Sequence, residues 1–108
     1  MATKHGILVN DILREYGGDP RWRIWPNNTG TAFRGRRKIS FGKIFSADII
    51  GFLDNGKFVN IEVKVGRDKQ TEGQRDYEAV VKQFKAVYLV ARSIEDVAKF
   101  LSSYSKAL

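Results

Sequence analysis

The sequence contains no cysteine and only one histidine, and these two features limit the chemistry open to it. Without cysteine the chain can form neither a disulfide framework nor a thiolate metal site. One histidine is too few for a multi-histidine zinc cluster within a single chain. Any metal that this protein binds must therefore be held mainly by oxygen atoms.

Long apolar runs are also missing. No segment approaches the ~18 to 20 apolar residues that a membrane-spanning helix needs, and the start of the chain lacks the basic-then-apolar pattern of a secretory leader. We therefore expect a cytoplasmic protein with no membrane partner. The 108 residues are the size of one domain, so we expect a single domain over 1–108.

Acidic residues are absent from the stretch between Arg21 and Lys43, which holds seven basic residues. The whole chain carries a net charge of +7, and its pI is near 9.9. This balance favours a polyanionic partner and salt-sensitive binding. The run from Arg34 to Lys43 is either a solvated basic loop or a DNA-binding loop. We favour DNA contact, with these candidates: Arg34, Arg36, Arg37, Lys38 and Lys43.

The periodicity of the apolar residues predicts a mixed α/β chain. The predicted order is helix, strand, two hairpin strands, helix, strand and helix, so the fold class is α-β-β-β-α-β-α around about four strands. In the second helix the apolar stripe consists of Tyr77, Val80, Val81 and Phe84. Trp22 and Trp25 fall in the first strand, where packing is a more common role than base stacking. The predicted elements span 4–16, 22–25, 48–53, 57–65, a helix from 71, 86–91 and a last helix opened by 93–96.

The hairpin turn at Asp54-Asn55-Gly56 decides which residues face each other. A two-residue turn places Asp48 opposite Val63 and on the wrong face, whereas a three-residue loop with a left-handed Gly56 places Asp48 opposite Glu62. The apolar pattern is compatible with either register. We prefer the three-residue loop only because it brings the two carboxylates together.

The segment Ile61-Glu62-Val63-Lys64 places an acid and an amine on one face of a strand. Hydrolysis of a phosphodiester needs a nucleophilic water and neutralisation of the charge that builds on the phosphate, and a hard cation supplies most of both. Mg²⁺ prefers oxygen ligands and keeps several waters. Asp48 and Glu62, with the Val63 carbonyl, are therefore candidate metal ligands. Lys64 is a candidate for orienting or deprotonating the attacking water.

These segments together resemble the VRR-NUC domains of the PD-(D/E)XK nuclease superfamily, especially the stand-alone type of phages and bacteria. The resemblance rests on Trp25-Pro26-Asn27-Asn28-Thr29-Gly30, Ala47-Asp48-Ile49-Ile50-Gly51, Ile61-Glu62-Val63-Lys64 and Gln74. It implies a restriction-endonuclease-like fold and DNA cleavage with Mg²⁺ or Mn²⁺. It also implies homodimers that nick DNA or resolve four-way junctions, in a bacterial or phage-infected cytoplasm. Asn28 and Thr29 would lie near the DNA, and Gln74 near the active centre.

One position departs from the family pattern. Where these domains carry a glutamate in the first helix, this chain has His5, which either serves the site as a ligand or acid-base group or merely faces solvent. Gln74 follows Thr71 by three residues, so it is either a capping residue or part of the site. The expected function is a structure-selective, Mg²⁺- or Mn²⁺-dependent endonuclease. The alternatives are a restriction or repair nickase and a non-catalytic nucleic-acid-binding module that retains a relic of the site.

Overall fold

The structure is a computed structural model that describes residues 2–28, 30–41 and 46–107. Within these ranges the chain forms three helices, α1 to α3, and six strands, β1 to β6. In chain order they are α1 Lys4–Tyr16, β1 Trp22–Pro26, β2 Gly30–Arg34, β3 Arg37–Phe41, β4 Ile49–Leu53, β5 Phe58–Val63, α2 Glu72–Gln83, β6 Val87–Ala91 and α3 Ile94–Lys106.

Four of the strands form a mixed sheet in the order β1-β4-β5-β6. The pairs β1-β4 and β4-β5 are antiparallel, while β5 and β6, joined through α2, run parallel. The predicted α/β fold class and the order of its elements are thus confirmed. The structure has one element that the sequence did not predict. Strands β2 and β3 form a separate two-stranded hairpin in which Arg34 pairs with Arg37. The prediction of a loop from Arg34 onward was wrong for this stretch.

Each helix begins at a side-chain cap that the sequence supplies. The hydroxyl of Thr3 accepts a hydrogen bond from the Gly6 amide at 3.0 Å, and Ser93 does the same for Asp96 at 3.3 Å. Thr71 and Gln74 form a complete capping box at the start of α2. Such caps satisfy amide groups that have no partner within the helix. No described helix is long and apolar enough to cross a membrane.

The main core lies between α1, α3 and one face of the sheet. Within the sheet, β1 lies so close to β4 that an added Cβ at Gly51 would be 2.0 Å from the backbone oxygen of Arg23, so this position requires glycine. Trp22 is buried in this core and donates from its indole nitrogen to the Tyr16 carbonyl at 2.8 Å. The buried core residues are Ile12, Trp22, Ile24, Ile49, Leu53, Val59, Ile61, Val63, Ala91, Val97 and Leu101.

Helix α2 packs on the opposite face of the sheet, over β5 and β6. Its Tyr77 hydroxyl donates to Asn60 of β5 at 2.6 Å, and its Val81 is buried. Val80 and Phe84, however, are 48% and 76% exposed, so their predicted place in the inward stripe was wrong. Residues four apart share one helix face, and Tyr77 and Val81 lie on the face that packs on the sheet. Phe84 is the C-cap residue, at the end of the helix.

The hairpin between β4 and β5 has the three-residue loop. Ile49 pairs with Ile61 and Phe52 with Phe58. Gly56 has φ +91°, and its amide donates to the Leu53 carbonyl at 2.9 Å. A φ in this region suits glycine because it has no Cβ. The preferred register is confirmed, and the two-residue alternative is excluded.

Candidate active site

The predicted catalytic residues come from four elements that meet at one end of the sheet. Asp48 immediately precedes β4, and Lys64 immediately follows β5. Gln74 lies in the first turn of α2, and His5 in the first turn of α1. Because β4 and β5 are antiparallel, the start of one lies beside the end of the other. This topology brings together residues that are far apart in the sequence.

Asp48 lies against the end of β5. Its Oδ2 accepts a hydrogen bond from the backbone amide of Val63 at 2.8 Å, and the pairing of Ile49 with Ile61, continued by one residue, places Asp48 opposite Glu62. The N–H and C=O of one strand residue point to the same side. The Val63 carbonyl is therefore expected on the side of Asp48, where it was proposed as a third oxygen ligand.

Asn27 fixes the segment that carries Asp48. Its side-chain amide donates to the Ser46 hydroxyl and to the Ala47 carbonyl, both at 2.8 Å, and its backbone amide donates to the Asp48 carbonyl at 2.8 Å. Sequence reasoning missed this role. The one available signal was its position directly after β1 in a turn-forming segment, which does not reveal partners some twenty residues away.

Glu62 is a buried carboxylate without a partner. Its exposed fraction is 1%, and neither carboxylate oxygen has a hydrogen-bond partner within the described part of the chain. Burial raises the pKa of Tyr88 well above its usual value, and the charge of Glu62 raises it further. The Tyr88 hydroxyl therefore lies close to the Glu62 carboxylate, although not in hydrogen-bonding geometry. An isolated charge in such surroundings is costly unless a cation or a proton compensates it. The charge of Glu62 would therefore be compensated either by a bound cation or by a proton.

The ammonium of Lys64 is held by Gln74. Lys64 Nζ donates to Gln74 Oε1 at 2.9 Å, and the same oxygen accepts the Thr71 backbone amide at 2.9 Å. Gln74 therefore caps α2 and also contacts the predicted catalytic lysine. The sequence had left these two roles as alternatives. One side chain joins the helix start to the predicted catalytic lysine.

His5 lies beside Asp48. Its Nε2 is 3.3 Å from Asp48 Oδ2, although 41% of the histidine side chain is exposed. This places the imidazole where the resemblance led us to look for a helical acid, in contact with a predicted metal ligand. A function for His5 in catalysis stays a prediction.

Five of the seven predicted DNA-binding residues are described, and four of these belong to the β2-β3 hairpin. Arg36 and Arg37 are exposed at and beside its turn, where Gly35 has φ +65°, and Asn28 is exposed just after β1. The Asn27 side chain, which follows β1, donates to Ser46, two residues before Asp48. Arg34 and Lys38 belong to β2 and β3, while Thr29 and Lys43 lie outside the described residues.

The donor set suits a hard cation. Across residues 2–28, 30–41 and 46–107, no group of three or more carboxylate, histidine or cysteine side chains is close enough to hold a metal ion. Mg²⁺, however, is commonly bound through one or two carboxylates and retained waters. Asp48, the unpartnered Glu62 carboxylate and the Val63 carbonyl provide such a set, so these residues fit the metal that the resemblance implies.

Comparison with models of known protein families and with curated proteins finds no match for this chain.

Proposed function

We propose that this protein is a metal-dependent endonuclease that hydrolyses phosphodiester bonds in DNA, with a preference for branched or otherwise distorted duplexes. As in the stand-alone VRR-NUC proteins that it resembles, we propose a homodimer that acts in the cytoplasm. A two-fold dimer would present two such sites to two strands of a junction. Restriction or repair nicking is the nearest variant of the same activity.

The observation that carries this proposal is the buried, unpartnered Glu62 across the hairpin from Asp48. Leaving an ionised carboxylate without a partner costs stability, so a purely structural role explains it poorly. Next to it stands Lys64, which Gln74 holds in place. An acid pair that can hold a metal, with an adjacent and oriented ammonium, suits metal-assisted phosphodiester hydrolysis.

We propose the following roles for residues of this chain. Asp48, Glu62 and the Val63 carbonyl would hold Mg²⁺ or Mn²⁺, which supplies charge neutralisation at the phosphate and makes a bound water easier to deprotonate. Lys64, held by Gln74, would orient the attacking water. His5 would donate a hydrogen bond to Asp48 when its Nε2 carries the proton and so keep that carboxylate in position.

Cleavage assays test the proposal. Labelled four-way junction, flap and plain duplex are incubated with Mg²⁺, Mn²⁺ or chelator, using the wild type and Asp48→Ala. We expect cleavage only with metal, by the wild type but not by Asp48→Ala, and faster cleavage of the branched substrates. Asp76→Ala removes an exposed carboxylate of α2 and is the matched control. Cleavage that persists in chelator would contradict the proposal.

A second candidate is a nucleic-acid-binding module that has lost catalysis. His5 in place of a helical acid, and the lack of a third carboxylate among the described residues around Asp48, favour it. The same assay separates the two functions. A module without catalysis binds the three substrates but cuts none of them with either metal.

A further inference from the structure

One face of the sheet is only partly covered. Helix α2 covers β5 and β6, but the same face continues over β4 and β1 with aromatic side chains turned outward. Trp25 is 39% exposed and Phe52 is 49% exposed. Together with Phe58 they form a row across three strands, with ring centroids 6.1 Å apart between Trp25 and Phe52 and 5.8 Å apart between Phe52 and Phe58. We call Trp25, Phe52 and Phe58 the aromatic row.

The aromatic row continues from the candidate active site. Alternate residues of a strand share a face, so Phe52 lies on the side of β4 that faces away from the core, and the paired Phe58 lies on the side of β5 that carries Glu62. Phe52 follows Asp48 by four residues, which is roughly 13 Å along an extended strand. A ligand strand bound at Asp48 and Glu62 can therefore extend over the row.

Arg23 is the basic neighbour of the row. Asp19 and Asp54 line the same pocket as Arg23 and Phe52, but Asp19 is paired with Arg21 and Asp54 accepts a hydrogen bond from Tyr104. Arg23 pairs with Phe52 in the register of β1 and β4, and its side chain is exposed. Beyond Trp25 the chain enters the β2-β3 hairpin, within the stretch from Arg21 to Lys43 that has no acidic residue. A second copy of a chain with a net charge of +7 would bring like charges together on this face, whereas a nucleic acid complements them.

We propose that the aromatic row binds the unpaired bases of a single-stranded nucleic acid segment by stacking, with Arg23 contacting the phosphates of that segment. Aromatic rings accept any base because every base has a π-face, and basic neighbours track the backbone. The row would thus select DNA that has unpaired bases beside the cleaved bond. This last step rests on the proposed nuclease function, but the binding itself does not need the metal.

The two tryptophans allow a direct test. Trp22 is buried and Trp25 is exposed, so Trp22→Phe leaves Trp25 as the sole fluorescent indole. In chelator and low salt, a thymidine oligonucleotide of about 12 nucleotides should quench Trp25 to saturation. Unchanged Trp25 emission at oligonucleotide concentrations that saturate binding would overturn the proposal.

A second measurement does not depend on a change in the core. We expect Phe52→Ala to weaken binding of the labelled oligonucleotide by about tenfold, measured by fluorescence anisotropy in chelator. Ile7→Ala is the matched control, because Ile7 is 47% exposed on α1, across the sheet. The affinity of that control should equal that of the wild type.

These experiments distinguish binding by the aromatic row from two other cases. In one, a second copy of the chain covers this face; in the other, the proposed nuclease function is wrong. If Phe52→Ala turns a dimer into a monomer in sedimentation without weakening oligonucleotide binding, the face is an interface between copies and the proposal fails. A wild type that cuts DNA while Phe52→Ala binds normally also overturns it. If the wild type cuts no DNA but Phe52→Ala weakens oligonucleotide binding, the result supports nucleic-acid binding by the aromatic row and contradicts only the nuclease function.

Discussion

At the scale of single residues, two buried polar side chains on β5 differ in their partners. Asn60 is fully buried, donates to the Val87 carbonyl at 3.2 Å and accepts from Tyr77 at 2.6 Å. Glu62 is equally buried, yet neither of its carboxylate oxygens has a partner among the described residues. Buried polar groups are normally hydrogen-bonded. Glu62 departs from this rule, and it is Glu62, not Asn60, that belongs to the candidate site.

Glu62→Gln should increase the stability of the metal-free protein. A neutral amide costs less to bury than an unpaired carboxylate, so we expect the free energy of unfolding in chelator to rise by about 1 kcal/mol. Mn²⁺ should raise the Tm of the wild type but not that of the variant. Denaturation with and without metal measures both effects, and Glu72→Gln on the exposed start of α2 is the control. A less stable variant that still responds to Mn²⁺ would argue against a ligand role.

Lys64→Ala should lower catalysis more than binding. A positioned proton-transfer group contributes about 10²- to 10⁴-fold, so the cleavage rate should fall by about that factor while DNA affinity in chelator stays near the wild-type value. Single-turnover cleavage and anisotropy titrations provide the two quantities. Lys82→Ala, which removes an exposed lysine paired with Glu78, controls for lost charge. Intact turnover of Lys64→Ala would remove Lys64 from the mechanism.

At the scale of elements, the turn between β4 and β5 sets the register of the site. The apolar pattern is compatible with both loop lengths, and only the chemistry of Asp48 and Glu62 favoured the three-residue loop that the structure has. Local contacts reinforce this loop, since the Asn55 side chain accepts the Lys57 amide at 2.9 Å. A shift of one residue would turn one carboxylate to the opposite face.

Asn27→Ala should loosen the segment before β4. The variant loses two hydrogen bonds to Ser46 and Ala47, which we expect to lower the free energy of unfolding by about 1 to 2 kcal/mol. Because this segment positions Asp48, the Mn²⁺ concentration needed for half-maximal cleavage should rise as well. Asn28→Ala, at an exposed neighbouring position, serves as the control for stability. Unchanged metal dependence in Asn27→Ala would restrict Asn27 to a structural role.

The β2-β3 hairpin should contribute phosphate contacts through its exposed turn. If Arg36 and Arg37 each contact one phosphate of duplex DNA, Arg36→Ala and Arg37→Ala should each reduce the slope of log K against log salt by about 0.9. Affinity should fall to a similar extent on unrelated sequences, because phosphate contacts do not read bases. Titrations at several salt concentrations measure the slope. Slopes equal to that of the wild type would leave the hairpin turn without a role in DNA binding.

At the scale of the whole molecule, the sequence predicted the order of the elements along the chain, because the strands and helices have clear apolar patterns and the helices begin at side-chain caps. It did not predict the strand order β1-β4-β5-β6. The β2-β3 hairpin was not predicted. Its turn signal, Gly35-Arg36 between Phe33 and Ile39, lies in a run of basic residues that we interpreted by charge alone.

The candidate site was predictable only in part. Motif spacing indicated Asp48, Glu62 and Lys64, but the contact of Asn27 with Ala47 and the burial of Glu62 depend on packing between distant segments. Trp25 shows the same limit, because its exposure follows from how far α2 extends over the sheet. Local patterns predict elements, whereas the surfaces that remain open depend on tertiary packing.

We propose that Asp48 and Glu62 form a metal-dependent site for DNA cleavage. The most direct test is the cleavage rate of a labelled four-way junction as Mn²⁺ is titrated into metal-free wild type, Glu62→Gln and the control Asp76→Asn. We expect saturable, Mn²⁺-dependent cleavage by the wild type and Asp76→Asn, and none by Glu62→Gln. Equal cleavage by all three proteins, or cleavage that does not respond to Mn²⁺, would contradict this proposal.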